Sequence, residues 1–272
     1  MFAIKRLNAW LGLAFISVVS GSALAAGQPI NMTPGVTDIS AEVYDMHMIA
    51  FWLCVVIAIV VFGVMFYSIF AHRKSRGVTP ATFHESTTIE AIWTIIPFVV
   101  LIALSIPATK TLIDMYDTSD YDMTVKITGY QWLWHYEYVE DGVDFHSKLH
   151  TPISQINNDE EKGENYLLEV DNELVLPVGK KVRFLITSND VIHAWWVPDL
   201  AVKKDAVPGF INEAWARANE PGIYRGQCAE LCGRHHGFMP VVVRVVPEAE
   251  YKQWVVENAK PESATEYAAI SE

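Results

Sequence analysis

Two long uncharged runs and a change of rhythm near residue 117 organise this chain. From Met48 to Phe70 no charged residue occurs, and Phe51, Trp52, Val55, Val56, Ile59, Val60, Phe62 and Phe66 leave no polar face, as in a helix that crosses a bilayer. A second run, Ala91 to Thr109, lies between Glu90 and Lys110 and contains Pro97, which bundled membrane helices tolerate. The pattern predicts a hairpin over residues 26–116 with spans of about 46–70 and 90–110. Either run alone could be the core helix of a soluble protein, but two in tandem favour the membrane.

Ahead of them, Lys5 and Arg6 precede an apolar run from Leu7 to Val19 and the small-residue stretch ending Ala23-Leu24-Ala25. This predicts a cleaved signal peptide over residues 1–25 rather than a third, rather short span. The loop between the spans carries Arg73, Lys74 and Arg76, while the segment from Ala26 to Met48 has no Lys or Arg. The positive-inside rule puts that loop in the cytoplasm and the rest of the chain after Lys110 on the extracytoplasmic face of a bacterial inner membrane.

After Asp117 the apolar runs shorten, and alternation with period two appears in Met123, Val125, Ile127 and in Val241, Val243, Val245. Tyr166 to Val170, Glu173 to Leu176, Lys181 to Thr187 and Gly222 to Gly226 read as further strands, separated by turn formers such as Asp171-Asn172. Short strands at this spacing predict an all-β sandwich or Greek-key barrel over 117–259, followed by a tail, 260–272. Pro247 to Ala259 reads as a helix, and Asn157 to Asn165 as a solvated loop.

Charge sharpens this picture. With 20 Lys and Arg against 32 Asp and Glu, the chain is acidic, and removal of Lys5 and Arg6 takes the net charge from −12 to −14. From Asp117 onward there are 14 basic and 26 acidic residues. Such a field repels nucleic acid and attracts basic partners.

The densest chemistry is Cys228-Ala229-Glu230-Leu231-Cys232-Gly233-Arg234-His235-His236-Gly237-Phe238-Met239, with His193 upstream, at the end of the strand and turn from Thr187 to Ile192. Two cysteines in an exported domain usually pair as a disulfide. Here thiol, imidazole and thioether crowd one loop, which is the donor set of electron-transferring copper, and zinc sites rarely recruit Met. Two thiolates with two imidazoles suit two copper ions sharing the sulfurs; chemistry alone leaves the choice between His235 and His236 open. Cys54 sits in the first span as a space filler, and no Cys-x-x-Cys-His haem motif occurs.

Several motifs together resemble subunit II of haem-copper cytochrome c oxidases. They are Glu90-Ala91-Ile92-Trp93-Thr94-Ile95-Ile96-Pro97, the run from Gly129 to Tyr138, Val191-Ile192-His193-Ala194-Trp195, Lys204-Asp205-Ala206-Val207-Pro208-Gly209 and the loop from Gln227 to Pro240. The resemblance implies a cupredoxin-like domain with a binuclear copper centre, CuA. Cys228 and Cys232 would bridge the coppers, His193 and His236 would each bind one, Met239 would be a weak ligand and Glu230 would offer its backbone carbonyl. The Glu230 side chain would bind a Mg²⁺ shared with subunit I. It also implies cytochrome c as electron donor, Trp132 as the residue that receives the electron, and Glu90 at the entrance of the K proton pathway. Subunits I and III and the lipid bilayer would be partners. Glu137, Asp171 and Asp190 would face the basic cytochrome c. Alternation would turn some of Trp132, Trp134, Tyr136 and Tyr138 outward as an exposed aromatic contact. Leu133 and Phe210 depart from the tyrosine and arginine common in the family. Rival readings are a quinol oxidase subunit without copper, a membrane-tethered copper-binding protein and a disulfide-stapled domain.

Overall fold

Both uncharged runs fold into helices longer than the apolar stretches that define them. The computed structural model describes residues 31–260; the expected signal peptide and the tail beyond Lys260 lie outside the described residues. Helix α1 spans Asp38–Ala71 and α2 spans Thr87–Tyr116, and each is long and apolar enough to cross a membrane. Thr37 starts α1 with a capping box: its side chain accepts from the Ser40 amide, and the Ser40 hydroxyl accepts from the Thr37 amide, both at 2.9 Å. Pro97 and Pro107 both lie inside α2. Where the two helices run beyond their apolar parts, polar side chains join them: Thr111 donates to Glu42 at 3.0 Å and Lys110 lies 3.5 Å from the same carboxylate.

The β domain stands on that end of the hairpin. The Val36 amide donates to the Asp199 carbonyl at 2.8 Å, and the Trp215 indole donates to the last turn of α2 at Asp114 O, 3.0 Å. Lys181 is buried beneath, where its ammonium donates to the carbonyls of Asp117 (2.9 Å) and Ser119 (2.6 Å) and lies over the Trp215 ring. The chain leaving the membrane is thereby tied to the start of a core strand.

Among the described residues, ten strands form two five-stranded sheets. The first, in the order β3-β2-β1-β5-β8, contains Val143–Ser147, Leu133–Tyr138, Met123–Tyr130, Val182–Ser188 and Asn212–Ala216. The second, β4-β10-β9-β6-β7, contains Leu174–Pro177, Pro240–Val246, Gly222–Cys228, His193–Val197 and Val202–Ala206. The β1–β5 and β4–β10 pairs are parallel and the others antiparallel. Ser188 bridges Pro208, which brings the two sheets together along one edge. The alternating residues read from the sequence, Val125, Ile127, Val241 and Val243, are wholly buried between the sheets beside Trp134, Tyr136, Phe184 and Trp195. A short helix α3 spans Ile153–Ile156, and α4 spans Glu248–Asn258, within the stretch read as a helix, with Tyr251 and Val255 buried.

Three expectations need correction. Tyr166 to Val170 is not a strand: only Val170 bridges, to Leu149, and the stretch before it is turned by bonds such as Leu168 N to Asn165 O, with Leu167 at φ 62. His193 does not close the strand before it but opens β6, after a loop over 189–192. The aromatic run does not divide between faces. Trp132, Trp134, Tyr136 and Tyr138 have the same parity, so a strand sends them to one side, and that side is the core. Only Trp132, in the turn before β2, keeps part of its ring outside.

Candidate metal centre

The loop from Cys228 to Met239 is pinched shut by backbone bonds. Cys228 ends β9, Met239 immediately precedes β10, and the Cys228 amide donates to the Met239 carbonyl at 2.9 Å. A second bond, Ala229 N to Ala194 O at 3.0 Å, fastens the loop to β6 beside His193. Cys228 pairs with Trp195 in the β6–β9 ladder, so two residues far apart in the chain are brought side by side. A short 3₁₀ turn over His236–Phe238 bends the loop back.

Four predicted side-chain donors and one backbone carbonyl converge. The Cys228 and Cys232 sulfurs lie 3.8 Å apart, nearly twice a disulfide bond, and both residues are free. The disulfide-stapled reading therefore fails. The His193 Nδ1 lies 3.9 Å from the Cys228 sulfur, and the His236 Nδ1 lies 3.5 Å from that of Cys232. The Glu230 carbonyl lies 3.3 Å from the Cys228 sulfur, while Glu230 itself is exposed. His193, Cys228, Cys232 and Met239 are buried. His236, not His235, faces a thiol. The set fits soft, thiolate-preferring ions, with one imidazole for each of two sulfurs.

Second contacts hold this arrangement. His193 Nε2 lies 2.9 Å from Asp190 Oδ1, which leaves Nδ1 as the free donor atom. Asp190 also accepts from the backbone amides of Gln131 (2.7 Å) and Val191 (2.6 Å), so this exposed carboxylate, expected on a docking rim, is tied to the site as well. The other two expected rim acids are also paired: Glu137 with Lys126 at 3.0 Å, and Asp171 with the Lys148 amide at 2.9 Å. Gly129 presents no side chain to the His193 ring, where a Cβ would come within 2.8 Å of Cδ2.

Trp132 joins from outside. Its indole donates to the Cys232 carbonyl at 3.3 Å, and the Gln131 side-chain Nε2 donates to the same oxygen at 2.8 Å. Gly233, at φ 117, lets both side chains lie close over the loop. His235, the other histidine that residue chemistry left open as a ligand, packs its ring against that of Trp132, with centroids 4.6 Å apart. Its place next to His236 was the available signal. Glu90 is elsewhere: it sits in the first turn of α2 and accepts from the Ser86 amide at 3.4 Å, at the end of the helix away from the β domain.

Electrostatics fit a cation. Burial pushes the Cys228 thiol up, but bonds to His193 and to the backbone of Ala194 and Glu230 outweigh it and bring the thiol to about 7. Burial and the neighbouring Cys228 charge push Cys232 up to about 12. Cys228 is thus the sulfur more easily ionised, and a bound cation would displace the proton that Cys232 holds. Burial works against charge on His193, yet Cys228 and Asp190 raise it above the ordinary histidine range.

Comparison with known proteins assigns both parts of the chain to one family. The family described as cytochrome c oxidase subunit II, periplasmic domain, matches residues 123–246, and that of the subunit II transmembrane domain matches 25–111. The chain is similar to a probable cytochrome c oxidase subunit 2 of Rickettsia prowazekii (strain Madrid E), 37% identical over 88% of this chain and 76% of the relative. It is also similar to that of Rickettsia bellii (strain RML369-C), 34% identical over 96% of this chain and 95% of the relative. Among solved structures, the periplasmic domain of CoxB, subunit II of the Bradyrhizobium japonicum cytochrome oxidase, is 42% identical over 52% of this chain and 96% of that one, with a TM-score of 0.47. A membrane hairpin, a cupredoxin-like β domain and these matches over both parts place the chain, as a two-pass membrane protein, in the cytochrome c oxidase subunit II family of the haem-copper oxidases.

Proposed function

We propose that this chain takes electrons from cytochrome c at a binuclear copper centre and passes them to haem in subunit I, where oxygen is reduced and protons are pumped. The observation that carries the reading is the pair of sulfurs 3.8 Å apart, each facing its own imidazole. Cys228, Cys232, His193, His236 and Met239 are the ligands by side chain, and Glu230 by its carbonyl. When bound, the two coppers supply a one-electron store shared across both sulfurs.

The chain's own residues do the rest. Asp190 fixes the His193 tautomer, and the sheets around Trp134, Trp195 and Phe184 keep water from the back of the site. Trp132 is the residue that receives the electron, because its indole is bonded directly to the carbonyl of a ligand residue. The exposed Glu230 carboxylate is left for a Mg²⁺ shared with subunit I. Glu90 and Tyr116 are 26 residues apart on α2, roughly 39 Å at about 1.5 Å per residue, which suits Glu90 to the entrance of the K pathway on the other membrane face. The basic loop, Arg73, Lys74 and Arg76, favours a cytoplasmic hairpin turn and a periplasmic copper domain in a bacterial inner membrane. Residues 26–116 would form the hairpin against subunit I, with subunit III a further partner, and 117–259 the copper domain. A quinol oxidase subunit would have no use for the converging thiols and imidazoles, and a free copper carrier would have none for Glu90.

The test is copper loading of the full chain. We expect two coppers per chain and a mixed-valence resonance with the unpaired electron on both nuclei. One copper, or a signal confined to one nucleus, would overturn the assignment. Copurification of a haem-bearing subunit separates the oxidase from the carrier.

A further inference from the structure

Two histidines and a carboxylate, side chains of types that can ligate a metal, lie together on the outer face of the first sheet. Trp134 points inward, with its ring 5.9 Å from that of His193, and the next residue, His135, points out. His135 on β2 is the register partner of His146 on β3. Directly opposed residues share a face, with Cβ atoms about 4.5–5.5 Å apart. The two imidazole rings are 4.6 Å apart, tilted by 39°. Asp144, two residues before His146 and so on the same face, brings a carboxylate oxygen to 3.5 Å from His135 Nε2. Strand β3 is the edge of its sheet, and His146 is exposed there.

We infer that His135 and His146, supported by Asp144, form a surface site for a divalent transition ion that prefers imidazole, such as Zn²⁺. Two imidazoles on one rigid ladder lose little freedom when they turn toward a shared ion, and neutral imidazole ligates through either nitrogen. A carboxylate beside one ring is the usual supporting partner of a ligating histidine. The acidic field of the domain, 14 basic against 26 acidic residues from Asp117 onward, draws cations to the surface. One group opposes binding: the Lys260 ammonium lies 2.7 Å from the other Asp144 oxygen and puts a positive charge beside the site.

Zn²⁺ titration of the full chain tests this site, followed by equilibrium dialysis. The titration is run with the thiol site filled with copper and again in a Cys228→Ser, Cys232→Ser background, so that failure of the copper reading cannot mimic failure here. We expect one Zn²⁺ per chain in either background, with affinity lowered about tenfold or more by His146→Ala and by His135→Gln. Asp144→Asn should weaken binding less, and Lys260→Ala should strengthen it. Because His146 is exposed, His146→Gln gives a second variant whose fold is checked by an unchanged unfolding temperature. Zn²⁺ held as tightly by the folded His146 variants as by the parent would overturn the proposal, and so would the absence of any Zn²⁺ bound outside the thiols.

Discussion

Trp93 and Trp134 carry the same side chain and meet opposite fates. In α2 Trp93 is 62% exposed, in company with Phe98, Leu101 and Ile106, whereas Trp134 in β2 is 0% exposed. The most apolar windows of both long helices bury nothing within the chain. The difference lies in the solvent. A helix satisfies its backbone internally and can turn every apolar side chain toward hydrocarbon or a partner subunit. A sheet in water must face its apolar side inward, and only such an interior can hold converging thiols dry.

The sharpest break of this comparison is a paired substitution. Trp134→Ala should destabilise the β domain by about 3–5 kcal/mol, the range for emptying a large buried ring. Trp93→Ala should leave the unfolding of that domain unchanged and weaken only association within the membrane. Denaturant unfolding of the full chain in detergent measures both, and equal losses would mean that the hairpin helps to hold up the domain core.

Within the β domain, Asp190→Ala should lower copper affinity by about 10–100-fold, as loss of a carboxylate supporting a ligating histidine does. Competition with a chelator reads it. Asp190→Asn should recover part of the loss, because an amide oxygen can still accept from His193 Nε2. A merely docking role for Asp190 would leave affinity unmoved in both variants.

At the junction of the two regions, Lys181→Met would leave the Asp117 and Ser119 carbonyls without their donor, at a cost of about 1–3 kcal/mol in domain unfolding. The smallest effect on the domain comes from the far end of α2. Glu90→Gln should leave the copper spectrum untouched while slowing oxidase turnover, and a changed spectrum with normal turnover would remove Glu90 from proton uptake.

Much of the molecule was legible because its signals are local. The two spans follow from uncharged runs, β1, β5 and β10 from alternation, and the ligand loop from the spacing of Cys228, Cys232, His236 and Met239. The errors share one cause. Parity could tell that Trp132, Trp134, Tyr136 and Tyr138 lie on one side of a strand, but not which side another sheet covers. Tyr166 to Val170 has strand-forming residues, yet finds no strand to pair with beyond the single bridge to Leu149.

By itself, then, the sequence determined the membrane hairpin, the β character of the rest and which side chains could bind a metal, since these depend on residue type and spacing over a few neighbours. Only the tertiary structure decided that His193 meets Cys228 across a β6–β9 ladder, that the exposed Asp190 bonds His193, that His235 packs against Trp132, and that His135 stands opposite His146. All but the Asp190–His193 contact, which spans three residues, join positions far apart in the chain or on neighbouring strands, and such pairings are selected by sheet register and by the burial of a shared core, which no short stretch of sequence encodes.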